Sequence, residues 1–492
     1  MQNLLHLKSG SDIRGKAFGE KAEITKDLAV HVGYAFVQFI SNKYTIEKDK
    51  ITIAIGRDSR ITGEVLAHGI ADGITGAGAN AVYFGMCTTP AMYQCLLQDN
   101  SNYNASIMVT ASHHPYDRNG FKFFLKEGGL NSNDIEDILK YCSQDIYLSS
   151  NNKNIIEYPY IKDYKNSIKD MIQKSIGHSL PLKGLHIIVD AGNGAGGFYA
   201  DLLSELGANI SGSQFLKPDG YFPNHIPNPE NKEAMDSISS AVINNNADLG
   251  IIFDADCDRA AIVDSNGKEI NRNRLIAMIS AILLEKNKNI SIVTDSVTST
   301  GLAKFIEQKG GYHIRFKRGY RNVIDEAIRL NSIGIDAPIA METSGHCALR
   351  ENSFIDDGMY LVTKLIIKAM ELQKKGKKLG DLIEDLEEPL ESAEIRLNIN
   401  SDDFRNVGNS IIESVEKHYK KINGYSIAND SREGLRVYYD YKDTPRSVWF
   451  MLRVSVHDPV MPINIESDII GGLQFIKSEL MDYLKSFKDL SI

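Results

Sequence analysis

The sequence predicts an α/β chain: three related βαβ-type domains with mixed sheets, followed by a smaller α+β domain. Two observations carry this. Residues 51–59 (ITIAIGRDS), 185–193 (LHIIVDAGN) and 290–298 (ISIVTDSVT) are β-branched apolar runs that lead into small polar residues. Each is followed by a helical pattern (65–74, 200–206, 301–308), then glycine, then a second β-rich run (81–84, 209–211, 312–316), which is the opening of a βαβ unit three times over. From Glu394 onward the pattern changes to alternating runs at 394–398, 435–439 and 448–456, with amphipathic helical periods at 404–419 and 469–487. The basic run 374–378 (KKGKK) reads as an exposed loop.

Composition agrees and narrows the function. The chain has 492 residues, 42% hydrophobic and 24% charged, which excludes fibrous and wholly disordered classes. That length is enough for about three or four domains of roughly 100–200 residues, each with its own core and with clefts between them. Lys+Arg of 55 against Asp+Glu of 64 gives a net charge of −9, without the basic excess that nucleic acid demands. Local Arg/Lys clusters still permit small anionic substrates. The five cysteines are scattered with no CxxC pair, so neither a structural zinc site nor a disulfide framework is expected, and a reducing cytoplasm fits. No apolar run approaches the roughly 18 residues of a spanning helix, so no membrane is expected as a partner.

Four motifs carry chemistry. In residues 251–259 (IIFDADCDR) an apolar strand runs into Asp254, Asp256 and Asp258, whose alternation in a tight turn converges three oxygens on one hard cation, Mg²⁺ where phosphates are handled. The EF-hand pattern fails, because its Gly and Glu places hold Arg259 and Ser265. A DxDx[TV] phosphatase signature is an alternative, with Asp258 in the Thr/Val place. In residues 106–122 (SIMVTASHHPYDRNGFK) a strand delivers Ser112 into a polar loop with His113, His114, Asn119 and Lys122; the G-x-S-x-G elbow is absent, which disfavours an acyl enzyme. Residues 341–346 (METSGH) group a carboxylate, hydroxyls, a glycine turn and an imidazole, suited to vicinal sugar hydroxyls. In residues 449–458 (WFMLRVSVHD) period-two alternation puts Arg453, Ser455 and His457 on one face as a phosphate clamp. Residues 192–197 (GNGAGG) match a G-x-G-x-x-G dinucleotide pattern, but the acidic residue expected on the next strand has no candidate beyond Asp219.

Taken in order, these motifs resemble the α-D-phosphohexomutase superfamily, in particular phosphomannomutase/phosphoglucomutase. The resemblance also rests on residues 12–15 (DIRG), 56–60 (GRDSR), 218–220 (PDG) and 222–224 (FPN), and it spans almost the whole chain. It implies four domains around a central cleft: an α/β domain with a phosphoserine loop (1–160), an α/β domain with a metal loop (161–272), an α/β domain with a sugar-binding loop (273–390) and an α+β domain with a phosphate loop (391–492).

The resemblance also implies roles. Ser112 would carry a phosphoryl group and, with Asp254, Asp256 and Asp258, hold Mg²⁺. Arg14 and Arg259 would stabilise charge in transfer, and Lys122 and His346 would act as general acid/base, Lys122 with its pKa lowered by neighbouring cations. Glu342 and Ser344 would read sugar hydroxyls, and Arg453, Ser455 and His457 would grip the non-reacting phosphate. The implied reaction moves a phosphoryl group between the 1- and 6-positions of glucose or mannose phosphate through a hexose 1,6-bisphosphate. The implied enzyme works on small sugar phosphates as a cytoplasmic monomer or homodimer. The chain departs from the family pattern at the phosphate loop, where Val456, His457 and Asp458 stand, and where a later Arg is replaced by Pro462; His114 and Ala255 are further departures. Alternatives are a phosphoglucosamine mutase, a Mg²⁺-dependent sugar-phosphate phosphatase and a non-catalytic sugar-phosphate binder.

Overall fold

The computed structural model describes residues 4–148, 154–177, 179–455 and 458–491. The chain divides into two compact units, Met1–Leu275 with Ser344–Asp381, and Ile276–Thr343 with Leu382–Ile492.

In the first unit a mixed sheet follows the spatial order Lys8–Ser9, Asp12–Lys16, Arg118–Leu125, Ala105–Val109, Thr52–Arg57, Asn80–Met86, Ile156–Glu157. Ala105–Val109 is buried at every position and pairs in parallel with Thr52–Arg57 but antiparallel with Arg118–Leu125. The chain therefore leaves this central strand at Val109 and returns along its neighbour, so residues 110–117 form a loop at one end of the sheet. Helices Lys26–Tyr44 and Gly63–Gly76 supply much of the apolar cover, with Phe36, Ile55, Ile107 and Phe123 in one core. Thr25 caps the first of these helices by accepting from the Leu28 N–H.

A second sheet in the same unit holds Ile187–Asp190 parallel to Leu249–Phe253, then Ala260–Asp264 and Glu269–Ile270 antiparallel. The strand expected at 209–211 does not form; only isolated bridges His186↔Asn209 and Asp190↔Gln214 remain. Asn209 Oδ1 accepts the Ser211 N–H at 3.1 Å, an Asx turn that draws the backbone away from the ladder. The glycine run 192–197 serves packing. A Cβ on Gly194 would sit 2.7 Å from the Ala255 Cα, and the Ala195 N–H donates to Ala255 O at 2.9 Å. The run therefore supports the acidic loop from below, and its glycines need no dinucleotide to explain them.

In the second unit Tyr312–Arg315, Ser291–Thr294 and Ile339–Met341 are parallel, flanked by helices Thr300–Gln308 and Tyr320–Ser332. A separate antiparallel sheet runs Tyr425–Ile427, Leu435–Tyr441, Thr444–Leu452, Val460–Ser467, Glu391–Ile399, Leu490–Ser491. Helices Phe404–Tyr419 and Gly472–Leu484 cover one face, with Val415, Val437, Phe450, Ile463 and Leu480 fully buried between. On the other face Arg436 stacks 3.6 Å from the Trp449 ring centroid and donates to Thr298 O at 2.9 Å. The strand expected at 448–456 starts earlier, at Thr444, and ends at Leu452; residues 456 and 457 lie outside the described residues.

Candidate active site

Ser112 is the third residue past the central strand of the first sheet, buried, with its backbone in the left-handed region at φ 51°. Thr110 Oγ1 accepts the Ser112 N–H at 2.8 Å and itself donates to Asp58 Oδ2 at 2.6 Å, which fixes this turn. The Ser112 hydroxyl donates to Asp254 Oδ2 at 2.8 Å, joining the serine loop to the acidic loop.

Arg60 holds the rest of the serine loop. Paired with Asp58 at 3.2 Å in a fully buried ion pair, it donates to the carbonyls of Ser112, His114, Pro115 and Arg118 at 2.5–2.9 Å. Neither Arg60 nor Asp58 suggested itself as a site residue, because nothing local says that a side chain reaches carbonyls more than fifty positions away. Arg60→Met removes one member of a buried pair and all four loop contacts, so a loss of roughly 3–5 kcal/mol of stability is expected. Denaturant unfolding measures that loss, and faster amide hydrogen exchange at residues 112–118 assigns it to the loop.

The three aspartates sit in the turn after Leu249–Phe253. Asp254 and Asp256 are fully buried, Asp258 nearly so, and one oxygen of each lies within 4.8 Å of the others. Burial and the two neighbouring carboxylates push Asp254 up to about 8. Three buried carboxylates so close cannot all stay ionised without a cation. Asp256 Oδ2 accepts from Thr89 Oγ1 at 2.5 Å and Lys122 Nζ at 2.9 Å, whereas its Oδ1 is buried with no hydrogen-bond partner among the described residues. An all-oxygen donor set with an unsatisfied carboxylate oxygen fits a hard divalent cation. Cys257, between two of these acids, points elsewhere: it is fully buried, and its Sγ lies 3.7 Å from Asp254 O.

Lys122 lies on Arg118–Leu125, paired with Asp12 across the sheet, and reaches Asp258 Oδ2 at 2.5 Å as well as Asp256. The expectation of a lowered pKa is not met. Burial opposes its charge, but Asp256 and Asp258 outweigh burial and hold it well above the usual lysine range. Arg14, two residues along from Asp12, donates to Asp12 Oδ2 at 2.7 Å. Arg259 donates from Nε to Asp254 Oδ2 at 3.1 Å and lies 3.5 Å from Glu230, with its Nη2 buried and unpartnered among the described residues. His346 forms an isolated antiparallel bridge with Arg259, bonds Ser344 Oγ through Nδ1 at 2.9 Å and lies 3.8 Å from Asp258. Burial lowers its proton affinity, but Asp258 more than offsets this, bringing it up to about 9.

The first unit thus brings together Ser112, Lys122, Arg14, Arg259, Asp254, Asp256, Asp258, Ser344 and His346. The second unit holds the remaining expected residues. Glu342 Oε1 accepts the Gly319 N–H at 2.6 Å. Asp295, which no local motif marks, is fully buried and accepts from Thr343 Oγ1 at 2.7 Å, with its other oxygen unpartnered among the described residues. Arg453 is buried with its Nε unpartnered among the described residues, and the Ser455 N–H donates to Val460 O at 2.9 Å. His457 lies outside the described residues.

Comparison with known proteins identifies the family. Family models described as phosphoglucomutase/phosphomannomutase, alpha/beta/alpha domains I, II and III match residues 6–147, 159–267 and 271–390. The chain belongs to the phosphoglucomutase/phosphomannomutase family. Members named phosphomannomutase in Escherichia coli (strain K12) and phosphoglucomutase in Neisseria gonorrhoeae are 30% and 28% identical to it, covering 93% of both chains in the first case and 96% in the second. A solved phosphoglucomutase/phosphomannomutase family protein from Burkholderia thailandensis superposes with a TM-score of 0.81 at 26% identity, covering 98% of this chain and 97% of its own. A more distant fold relative, at 12% identity and a TM-score of 0.58, is an Aspergillus fumigatus N-acetylphosphoglucosamine mutase in complex with GlcNAc-6P and magnesium. As a member of this family the chain is a phosphohexomutase, an isomerase, and the buried aspartate triad fits magnesium. Among the described residues no helix is long and apolar enough to cross a membrane.

Proposed function

We propose that this phosphohexomutase interconverts the 1- and 6-phosphates of glucose or mannose through a phosphoryl group carried on Ser112 and a hexose 1,6-bisphosphate intermediate. The observation that carries the reading is the contact between the Ser112 hydroxyl and Asp254 at 2.8 Å, beside Lys122 and within a triad whose oxygens fit a divalent cation. A non-catalytic binder needs no hydroxyl buried against such a cluster.

Ser112, Asp254, Asp256 and Asp258 would hold Mg²⁺, which when bound supplies Lewis-acid stabilisation of charge on the phosphoryl oxygens. The chain's own groups do the rest. The phosphoryl group leaves Ser112 Oγ for the free sugar hydroxyl, and the hydroxyl's proton passes to His346 or Lys122 as general base; return of the other phosphate to Ser112 runs the same steps backward. For either group to accept that proton it must first give up its own, and Mg²⁺ held by the aspartates would offset the carboxylate charge that now keeps both protonated. Arg14 and Arg259 stabilise the transferring charge by position. Thr110, Asp58 and Arg60 keep the serine turn preformed, so little reorganisation is needed at the moment of transfer. Glu342 and Ser344 read the sugar hydroxyls, while Arg453, Ser455 and His457 take the phosphate that stays.

The five cysteines are all buried and free, in keeping with the cytoplasmic setting proposed for this activity. The deciding experiment is ³¹P NMR of the protein with Mg²⁺ and a trace of glucose 1,6-bisphosphate, offered glucose, mannose and glucosamine 1-phosphates separately. Conversion of the glucose or mannose ester to its 6-phosphate supports the reading. Conversion of the glucosamine ester alone replaces it with an amino-sugar mutase, and release of inorganic phosphate replaces it with a phosphatase.

A further inference from the structure

We infer that Arg318 is a substrate-binding residue, its guanidinium joining that of Arg453 to grip the phosphate that is not transferred, so that the second unit holds a two-arginine phosphate site. This rests on the function proposed above and adds a residue to its binding site.

Arg318 follows the strand Tyr312–Arg315 and directly precedes Gly319 and the helix Tyr320–Ser332. Its backbone is clamped from several sides. The Arg318 N–H donates to Glu433 Oε2 at 3.1 Å, the Gly319 N–H to Glu342 Oε1 at 2.6 Å, and Asn322 Nδ2 to Arg318 O at 2.7 Å. A loop tied this firmly, with one tie on the sugar-reading Glu342 itself, presents its side chain from a fixed base. That side chain is 25% exposed, and its Nε lies 3.9 Å from Asp295 Oδ2, at the long limit of an ion pair.

The same clamp leads to Arg453. Glu433 also accepts from Ser296 Oγ at 2.6 Å, and the next residue, Gly434, lies directly on Arg453. A Cβ on Gly434 would come 2.9 Å from the Arg453 Cα and 3.0 Å from its Cβ. Glu433 and Gly434 thus tie the two arginines, from different sheets, into one neighbourhood. The charges feel each other: after burial, Arg318 is the strongest influence loosening the Arg453 proton. Among the described residues Arg453 Nε is buried with no hydrogen-bond partner, and so is Asp295 Oδ1. The two positive charges repel, and a phosphomonoester dianion between them offsets that repulsion while supplying an acceptor for Arg453 Nε. The surrounding carboxylates, Asp295, Glu394 and Glu433, moderate the charge when no ligand is present.

Arg318→Met and Arg318→Lys test this in the full chain, with thermal unfolding confirming the fold of each. The readouts are KM and kcat for glucose 1-phosphate and the inhibition constant of inorganic phosphate. Arg318→Met is expected to raise KM and the phosphate inhibition constant together, by about tenfold or more, with kcat much less affected, as befits binding shared by ground and transition states. Arg318→Lys keeps the charge but loses the bidentate fork, and is expected to fall in between; it carries the test if the Met variant does not fold. Unchanged KM and phosphate inhibition in a folded variant overturn the inference, as does a loss confined to kcat. A wild-type protein that turns over no hexose phosphate overturns the function itself, whereas an active wild type with unmoved variants overturns only Arg318.

Discussion

Ser112→Ala is expected to abolish phosphohexomutase activity, by roughly 10³-fold or more, because the side chain removed is the one proposed to carry the phosphoryl group. The fold should survive. Ser112 occupies a left-handed turn that alanine tolerates about as poorly as serine, and Asp254, on losing the hydroxyl, keeps the backbone N–H and Nε of Arg259 at 3.2 and 3.1 Å. Thermal unfolding should therefore shift little while interconversion of hexose 1- and 6-phosphates disappears from the ³¹P spectrum. A phosphatase with Asp254 as nucleophile makes the opposite forecast, since hydrolysis would not need the serine. Retained turnover in this variant would sink the mutase.

Asp256→Asn is the second large effect. The amide keeps the volume, and its oxygen can still accept from Thr89 and Lys122, but it removes one negative charge from a triad whose oxygens lie within 4.8 Å of one another. The Mg²⁺ proposed on the triad would supply charge stabilisation worth several kcal/mol, so kcat should fall by about 10² to 10⁴. The Mg²⁺ concentration for half-maximal activity should rise as well, and isothermal titration of the metal alone reads the same loss without turnover. Unchanged metal affinity in a folded Asp256→Asn protein would show that the cation sits elsewhere.

How far the sequence foretold these sites differs from residue to residue for physical reasons. The acidic loop was legible because its logic is local: an apolar strand, then acids at alternate positions of one turn. The helix at Phe404–Tyr419 was legible because its apolar period is long and regular. Arg60, Thr89 and Arg318 were not, because what they do depends on partners that only tertiary structure brings near: Thr89 meets Asp256 across 167 positions, and Arg318 meets Glu433 across 115. The run at 209–211 misled in the opposite sense, since β propensity there is overruled by a side-chain turn. Lys122 shows a third limit, for position was foreseen and charge balance was not. Its carboxylate neighbours, set by register between two strands and a loop from another sheet, decide its proton affinity more than the nearby arginines do.

Cys257 gives the acidic loop an uncommon durability. A thiol flanked by two carboxylates of the proposed metal site is a weak point if an oxidant or electrophile can reach it, since a sulfenic acid or an alkyl group there would force the loop open. Here the sulfur has no solvent-exposed surface, and burial, reinforced by the surrounding carboxylates, holds it as the unreactive thiol. A Cβ on Gly196 would come 2.9 Å from this sulfur, so the glycine run closes the space beneath it. The loop is thereby shielded from redox stress by its own packing, and chemical inactivation through this residue must wait for the chain to unfold.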